Sequence, residues 1–233
     1  MKDYSQLFRR FWFKAGSTGR HVLHVVILLL LTFSFVAITR SCMRFFPAYR
    51  PAPENNHNSH LEKLLEPRKS RPLDWKWIVI HHSGTREGSA AAFDRYHRWH
   101  KGWDSLGYHF VIGNGTQTPD GQIEVGSRWS EQEIGAHAGV REFNQRGIGI
   151  CLVGNFEIDN PTSHQLHSLR VLLQYLMRQY RIPAERIIGH QEVPGAHTKC
   201  PGANFPMAEL RQSLEHWWTH TQTDAEELEN TEN

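Results

Sequence analysis

Residues 22–38 (VLHVVILLLLTFSFVAI) form an apolar run broken only by His24, Thr32 and Ser34. At about 17 residues, the run sits at the short end for a membrane-spanning helix and is slightly long for a signal-peptide core. Both readings send the following chain across a membrane. Lys2, Arg9, Arg10, Lys14 and Arg20 precede the run against one acid, Asp3, so the positive-inside rule puts the N-terminus in the cytoplasm. Phe35-Val36-Ala37 lacks the small residue of a cleavage site, and Thr39-Arg40-Ser41 is not the small apolar lead-in of a lipidated Cys42. The expectation is an uncleaved single-pass anchor with the rest of the chain periplasmic or otherwise extracytoplasmic.

This divides the chain into a basic cytoplasmic segment (1–20), a transmembrane signal anchor (21–39), a flexible linker (40–73), a globular domain (74–219) and an acidic disordered tail (220–233). Pro47, Pro51, Pro53, Asn55, Asn56, Asn58 and Ser59 mark the linker, and Asp224, Glu226, Glu227, Glu229 and Glu232 the tail. A net charge of +2, from 26 basic and 24 acidic residues, argues against a nucleic-acid partner. A monomer is expected. Three cysteines are too few for a disulfide scaffold, whereas sixteen histidines supply potential metal ligands and proton carriers.

The globular part reads as α/β. The β-branched and aromatic run Trp75 to His82 (WKWIVIHH) is a strand that carries two histidines to its end. Ser89 caps a helix running to about Lys101. Strands follow at 108–112, 123–126 and 148–153, the last apolar enough to be central. Thr162 and Gln165 have capping-box spacing ahead of the longest helix, which Pro183 ends. A short strand at 186–190 and a helix at 207–218 complete a mixed sheet of about four to six strands flanked by helices.

Strand and loop ends carry His81, His82, His190 and Cys200. A thiolate with imidazoles favours zinc over magnesium or calcium, and three protein ligands leave a position open, as in catalytic zinc sites. Such an ion polarises carbonyls and acidifies water, as amide hydrolysis requires. The spacing alone is weak, because strand-end histidines also serve as ordinary hydrogen-bonding groups.

Six blocks occur in order: Ile78-Val79-Ile80-His81-His82-Ser83-Gly84-Thr85, Gly107-Tyr108-His109-Phe110-Val111-Ile112, Gly135-Ala136-His137-Ala138-Gly139, Gly147-Ile148-Gly149-Ile150-Cys151-Leu152-Val153-Gly154, Gly189-His190-Gln191-Glu192 and Thr198-Lys199-Cys200-Pro201-Gly202. Over residues 74–218 the chain resembles the zinc-dependent N-acetylmuramoyl-L-alanine amidases of the phage-lysozyme and peptidoglycan recognition protein type. The resemblance implies that fold, a Zn2+ cofactor, peptidoglycan or muropeptides as substrate, and cleavage of the amide between N-acetylmuramic acid and L-alanine. It implies His81, His190 and Cys200 as metal ligands and Tyr108 as the catalytic tyrosine. Thr198 follows the recognition-protein pattern and is expected as a second catalytic residue, with a role for Lys199 left open.

His137 falls where the family lines its substrate groove, and Asn144 is expected to present its amide to the stem peptide. Glu192 either orients His190 or pairs with a surface base. His82 packs behind the first strand, since neighbouring strand residues point to opposite faces. His97, His100, His109, His164 and His167 read as helix or strand surface residues, and Cys151 as a buried free thiol. The alternative function is a membrane-anchored sensor that binds peptidoglycan without cutting it. A purely structural zinc module would need His137 or His197 as a fourth ligand.

Overall fold

Five strands line up in the order β3-β2-β4-β1-β5: β1 (Trp77–His82), β2 (Phe110–Ile112), β3 (Ile123–Val125), β4 (Gly147–Leu152) and β5 (Ile187–Gly189). The structure, a computed structural model, describes residues 57–69 and 72–231. The basic N-terminus, the expected span at 21–39 and Cys42 lie outside the described residues. Among the described residues, no helix is long and apolar enough to cross a membrane. The helices are α1 (His57–Leu65), α2 (Ala90–Lys101), α3 (Ser127–Ser130), α4 (Arg141–Arg146), α5 (Ser163–Tyr180) and α6 (Met207–Thr231).

β4 pairs in parallel with both β1 and β2, β1 pairs in parallel with β5, and β3 adds antiparallel to β2. As its sequence predicts, β4 is central and wholly buried. Period-2 alternation then sorts the sheet into two faces. Ile78, Ile80, Phe110, Ile112, Ile148, Ile150 and Leu152 join Leu169, Leu172, Leu173 and Leu176 of α5 and Leu210 and Leu214 of α6 in the main core. Each such side chain, fully buried, contributes about 1.5–3 kcal/mol. Val79, Val111 and Cys151 sit in two smaller clusters apart from that core. The register that pairs His81 with Cys151 puts this second face under the candidate site.

Side-chain caps start α2 and α5 as their sequences require. Ser89 Oγ accepts the Ala92 N–H at 3.2 Å. Thr162 and Gln165 form the reciprocal capping box, and Gln165 Nε2 donates to the carbonyls of Ile112 (3.2 Å) and Val153 (2.9 Å), tying α5 to two strand ends.

Two expected boundaries move. Part of the segment read as linker is α1, whose Leu65 is fully buried in the main core and whose Leu65 carbonyl accepts the Trp129 indole N–H at 2.7 Å. Leu61 and Leu65, one helical turn apart, are enough apolar surface to dock this short helix. At the other end, α6 continues to Thr231 through the stretch read as a disordered tail. No Gly or Pro interrupts that stretch, and Ala, Glu, Leu and Gln favour helix.

Candidate metal centre

His81 stands near the C-terminal end of β1, His190 follows β5 in a one-turn 3-10 helix, and Cys200 lies in the loop leading to α6. The parallel β1–β5 pairing sets the first two side by side, with ring centroids 4.5 Å apart. One ligand atom from each of His81, His190 and Cys200 lies within 4.8 Å of the others. Cys200 Sγ is 3.7 Å from His81 Nδ1. Tetrahedral zinc with ordinary Zn–N and Zn–S distances separates such atoms by about 3.6 Å, so the donor set and its spacing fit zinc.

The electrostatics fit as well. Burial, reinforced by His137, His190 and His82, holds His81 well below the usual histidine range. Burial also lowers His190, against the opposing effect of its bond to the Ala138 carbonyl. Both rings are therefore neutral, as a ligand must be. Burial pushes the Cys200 thiol up to about 12, partly countered by its bond to the His82 backbone. A bound cation reverses that balance, since a coordinating thiol is deprotonated.

Tyr108 packs its ring against His81 at 5.2 Å between centroids. Burial and the neighbouring thiols of Cys151 and Cys200 raise its pKa well above the usual tyrosine value, so it keeps its proton. Thr198 Oγ1 accepts the Cys200 N–H at 3.1 Å, which leaves its own proton free. Lys199 is largely exposed and approaches Glu157 at 3.6 Å.

His82 packs as alternation predicts. Its Nδ1 accepts the Phe156 N–H at 3.1 Å on the far side of the strand, while its backbone N–H points to Cys200 Sγ at 3.3 Å. Glu192 pairs with Arg211 (2.8 and 3.1 Å) and accepts the Gly189 N–H, so it braces the backbone ahead of His190 and is bonded to a base, not to the ring. Cys151 is a free, buried thiol whose Sγ faces the Leu152 carbonyl at 3.8 Å.

Four residues depart from expectation. His137, expected in the substrate groove, is buried against His81, with Nδ1 3.0 Å from His81 Nε2 and Nε2 3.1 Å from the Gly147 carbonyl. Asn144 spends its Oδ1 on the backbone N–H groups of His137 (2.9 Å) and Ala138 (2.8 Å). Both hold the site from behind: the 135–139 loop turns His137 inward and α4 turns Asn144 toward that loop, where each buried polar group must find a partner. His97 and His109 are not surface residues. His97 Nδ1 accepts the Gly107 N–H, and His109 accepts from Gly149 N–H and faces the Glu133 carbonyl. Among the described residues no fourth ligand joins the group, so neither His137 nor His197 completes a closed structural site.

Sequence reasoning missed the slot that holds His137. A Cβ on Gly149 would lie 2.5–2.9 Å from the His137 ring, and one on Gly135 would lie 2.7 Å from its Nε2. The available signal was an isolated glycine inside an apolar central strand, which marks a close approach.

Residues 71–203 match the family described as N-acetylmuramoyl-L-alanine amidase. The endolysin of Escherichia phage T7 is 33% identical over 148 residues, spanning 60% of this chain and 83% of the relative. Peptidoglycan-recognition protein LB of Drosophila melanogaster is 30% identical over 154 residues, 62% of this chain and 59% of that protein. Among solved structures, the N-acetylmuramoyl-L-alanine amidase LysC from Clostridium intestinale URNW superposes with a TM-score of 0.53 at 34% identity, covering 61% of this chain and 86% of the other.

Proposed function

The chain belongs to the N-acetylmuramoyl-L-alanine amidase family, and on that premise we propose that it is a zinc-dependent hydrolase of peptidoglycan. It cuts the amide between N-acetylmuramic acid and the L-alanine of the stem peptide, in cell-wall remodelling or degradation. The observation that carries the reading is the meeting of His81, His190 and Cys200 within 4.8 Å, with the Tyr108 ring packed against His81.

Zinc held by those three residues supplies Lewis acidity, which polarises an amide carbonyl and acidifies water. The remaining work falls to the protein. Tyr108 donates a hydrogen bond to the oxygen that gains charge as the amide is attacked, and the free Thr198 proton offers a second donor. Thr198 also fixes the Cys200 backbone, so one hydroxyl serves both geometry and charge. In this reading the N-terminal apolar segment anchors the enzyme, with its domain on the extracytoplasmic side.

The test uses the full chain in detergent, loaded with zinc and incubated with purified muropeptides, with Cys200→Ala alongside. Free stem peptide, detected by mass and released by the unsubstituted protein only, is the expected result. Muropeptides that bind the zinc-loaded protein and stay intact would make it a sensor instead.

A further inference from the structure

The loop at residues 135–139 touches both histidines of the candidate metal set. His81 Nε2 lies 3.0 Å from His137 Nδ1, and His190 Nε2 lies 3.2 Å from the Ala138 carbonyl oxygen. These contacts come from adjacent residues, and Asn144 Oδ1 holds the backbone N–H of both. The His137 ring is confined between Gly135 and Gly149, positions where a Cβ would collide with it.

A carbonyl oxygen accepts hydrogen bonds and never donates. The Gly147 carbonyl facing His137 Nε2 at 3.1 Å therefore places the proton of the neutral His137 ring on Nε2, leaving Nδ1 as an acceptor. An acceptor there requires a donor on His81, so the His81 proton sits on Nε2 and its Nδ1, the nitrogen nearest Cys200 Sγ, carries a bare lone pair. The same logic at Ala138 puts the His190 proton on Nε2 and leaves Nδ1 bare.

We propose that this loop is the positioning element of the metal site: by accepting the Nε2 protons of His81 and His190 together, it fixes both rings in the tautomer that offers Nδ1 to a cation. His137 is thus a positioning residue and touches neither metal nor substrate. Asn144 sets the loop, and the two glycines leave the slot that the His137 ring fills. Hydrogen-bond partners of this kind change metal affinity by about 10–100-fold when removed. The inference rests on the metal reading above.

The test uses the full chain, first free of metal. Two-bond 1H–15N correlation of the histidine rings should show His81 and His190 protonated on Nε2. Zinc affinity is then measured by competition with a chromophoric chelator. His137→Phe keeps a flat ring in the slot without either nitrogen, and should weaken zinc binding by about 10–100-fold and release the His81 tautomer. His137→Asn puts an acceptor oxygen where Nδ1 was and should restore most of the affinity. A His81 ring protonated on Nδ1 in the unsubstituted protein overturns the proposal without recourse to any variant. So does a His137→Phe protein that binds zinc as tightly as the parent. Unsubstituted protein with both Nε2–H tautomers and no zinc affinity counts against the metal reading and in favour of the loop's control of the rings.

Discussion

Two loops reach His81 from opposite sides, and they are built to different ends. Behind it, the polar groups of His137 and Asn144 described above are bonded within the protein. In front, the loop carrying Thr198 and Cys200 has a hydroxyl proton to give and a thiol that burial keeps neutral until a cation arrives. The rear loop is complete as folded, and the front loop is complete only when it binds something. Rigidity and reactivity are thus divided between two segments that share one imidazole.

That division can be broken by experiment. The largest effect should come from Cys200→Ser, which removes the soft ligand: activity falls by roughly 10³-fold or more, since metal catalysis supplies several kcal/mol, while the metal-free protein unfolds at the parent's urea midpoint. A large loss of metal-free stability would mean that the front loop also carries the fold. Tyr108→Phe comes next. Loss of one oxyanion donor should lower kcat about 10²–10³-fold with zinc content unchanged, and an unaltered kcat would remove the tyrosine from the chemistry.

The rear loop should answer in stability. Asn144→Ala strips the acceptor from two backbone N–H groups and should cost about 2–6 kcal/mol in urea unfolding, each unsatisfied group costing about 1–3. If activity fell with no change in unfolding, Asn144 would belong to substrate contact after all. The smallest effect is on mild acidification, between pH 7 and 5. Burial and the neighbouring His137 depress His109 to about 3, whereas an unfolded ring takes its proton near 6.5. The unfolded chain therefore binds more protons, and stability is full above about pH 6.5 and falls as pH drops toward 3. The slope is at most about 1.4 kcal/mol per pH unit for this ring. A flat urea midpoint between pH 7 and 5 in metal-free protein would contradict the burial of His109 as a neutral ring.

Much of this was legible in sequence where the cause is local. Alternation in β1 separated His81 from His82, the Thr162 and Gln165 spacing announced the capping box, and the apolar character of β4 placed it centrally. Where contacts join distant segments, the chain was silent. His137 meets His81 across 56 positions, and no local pattern distinguishes a histidine lining a groove from one standing behind a ligand. The buried His97 and His109 escaped notice for the same reason. The docking of α1 depends on how deeply Leu65 reaches the core, which a Pro- and Asn-rich composition nearby conceals.

The slot around His137 also makes positions 135, 137 and 149 a linked set. Replacing a strand glycine with alanine ordinarily favours the folded chain by restricting the unfolded one, but at position 149 the added methyl meets the ring first. Shrinking residue 137 alone leaves a void beside a glycine. The two changes made together relieve each other's packing fault, so the double substitution should cost less stability than the sum of the singles, while the bond to His81 is still lost. An engineer ranking substitutions one at a time for stability would therefore misjudge all three positions.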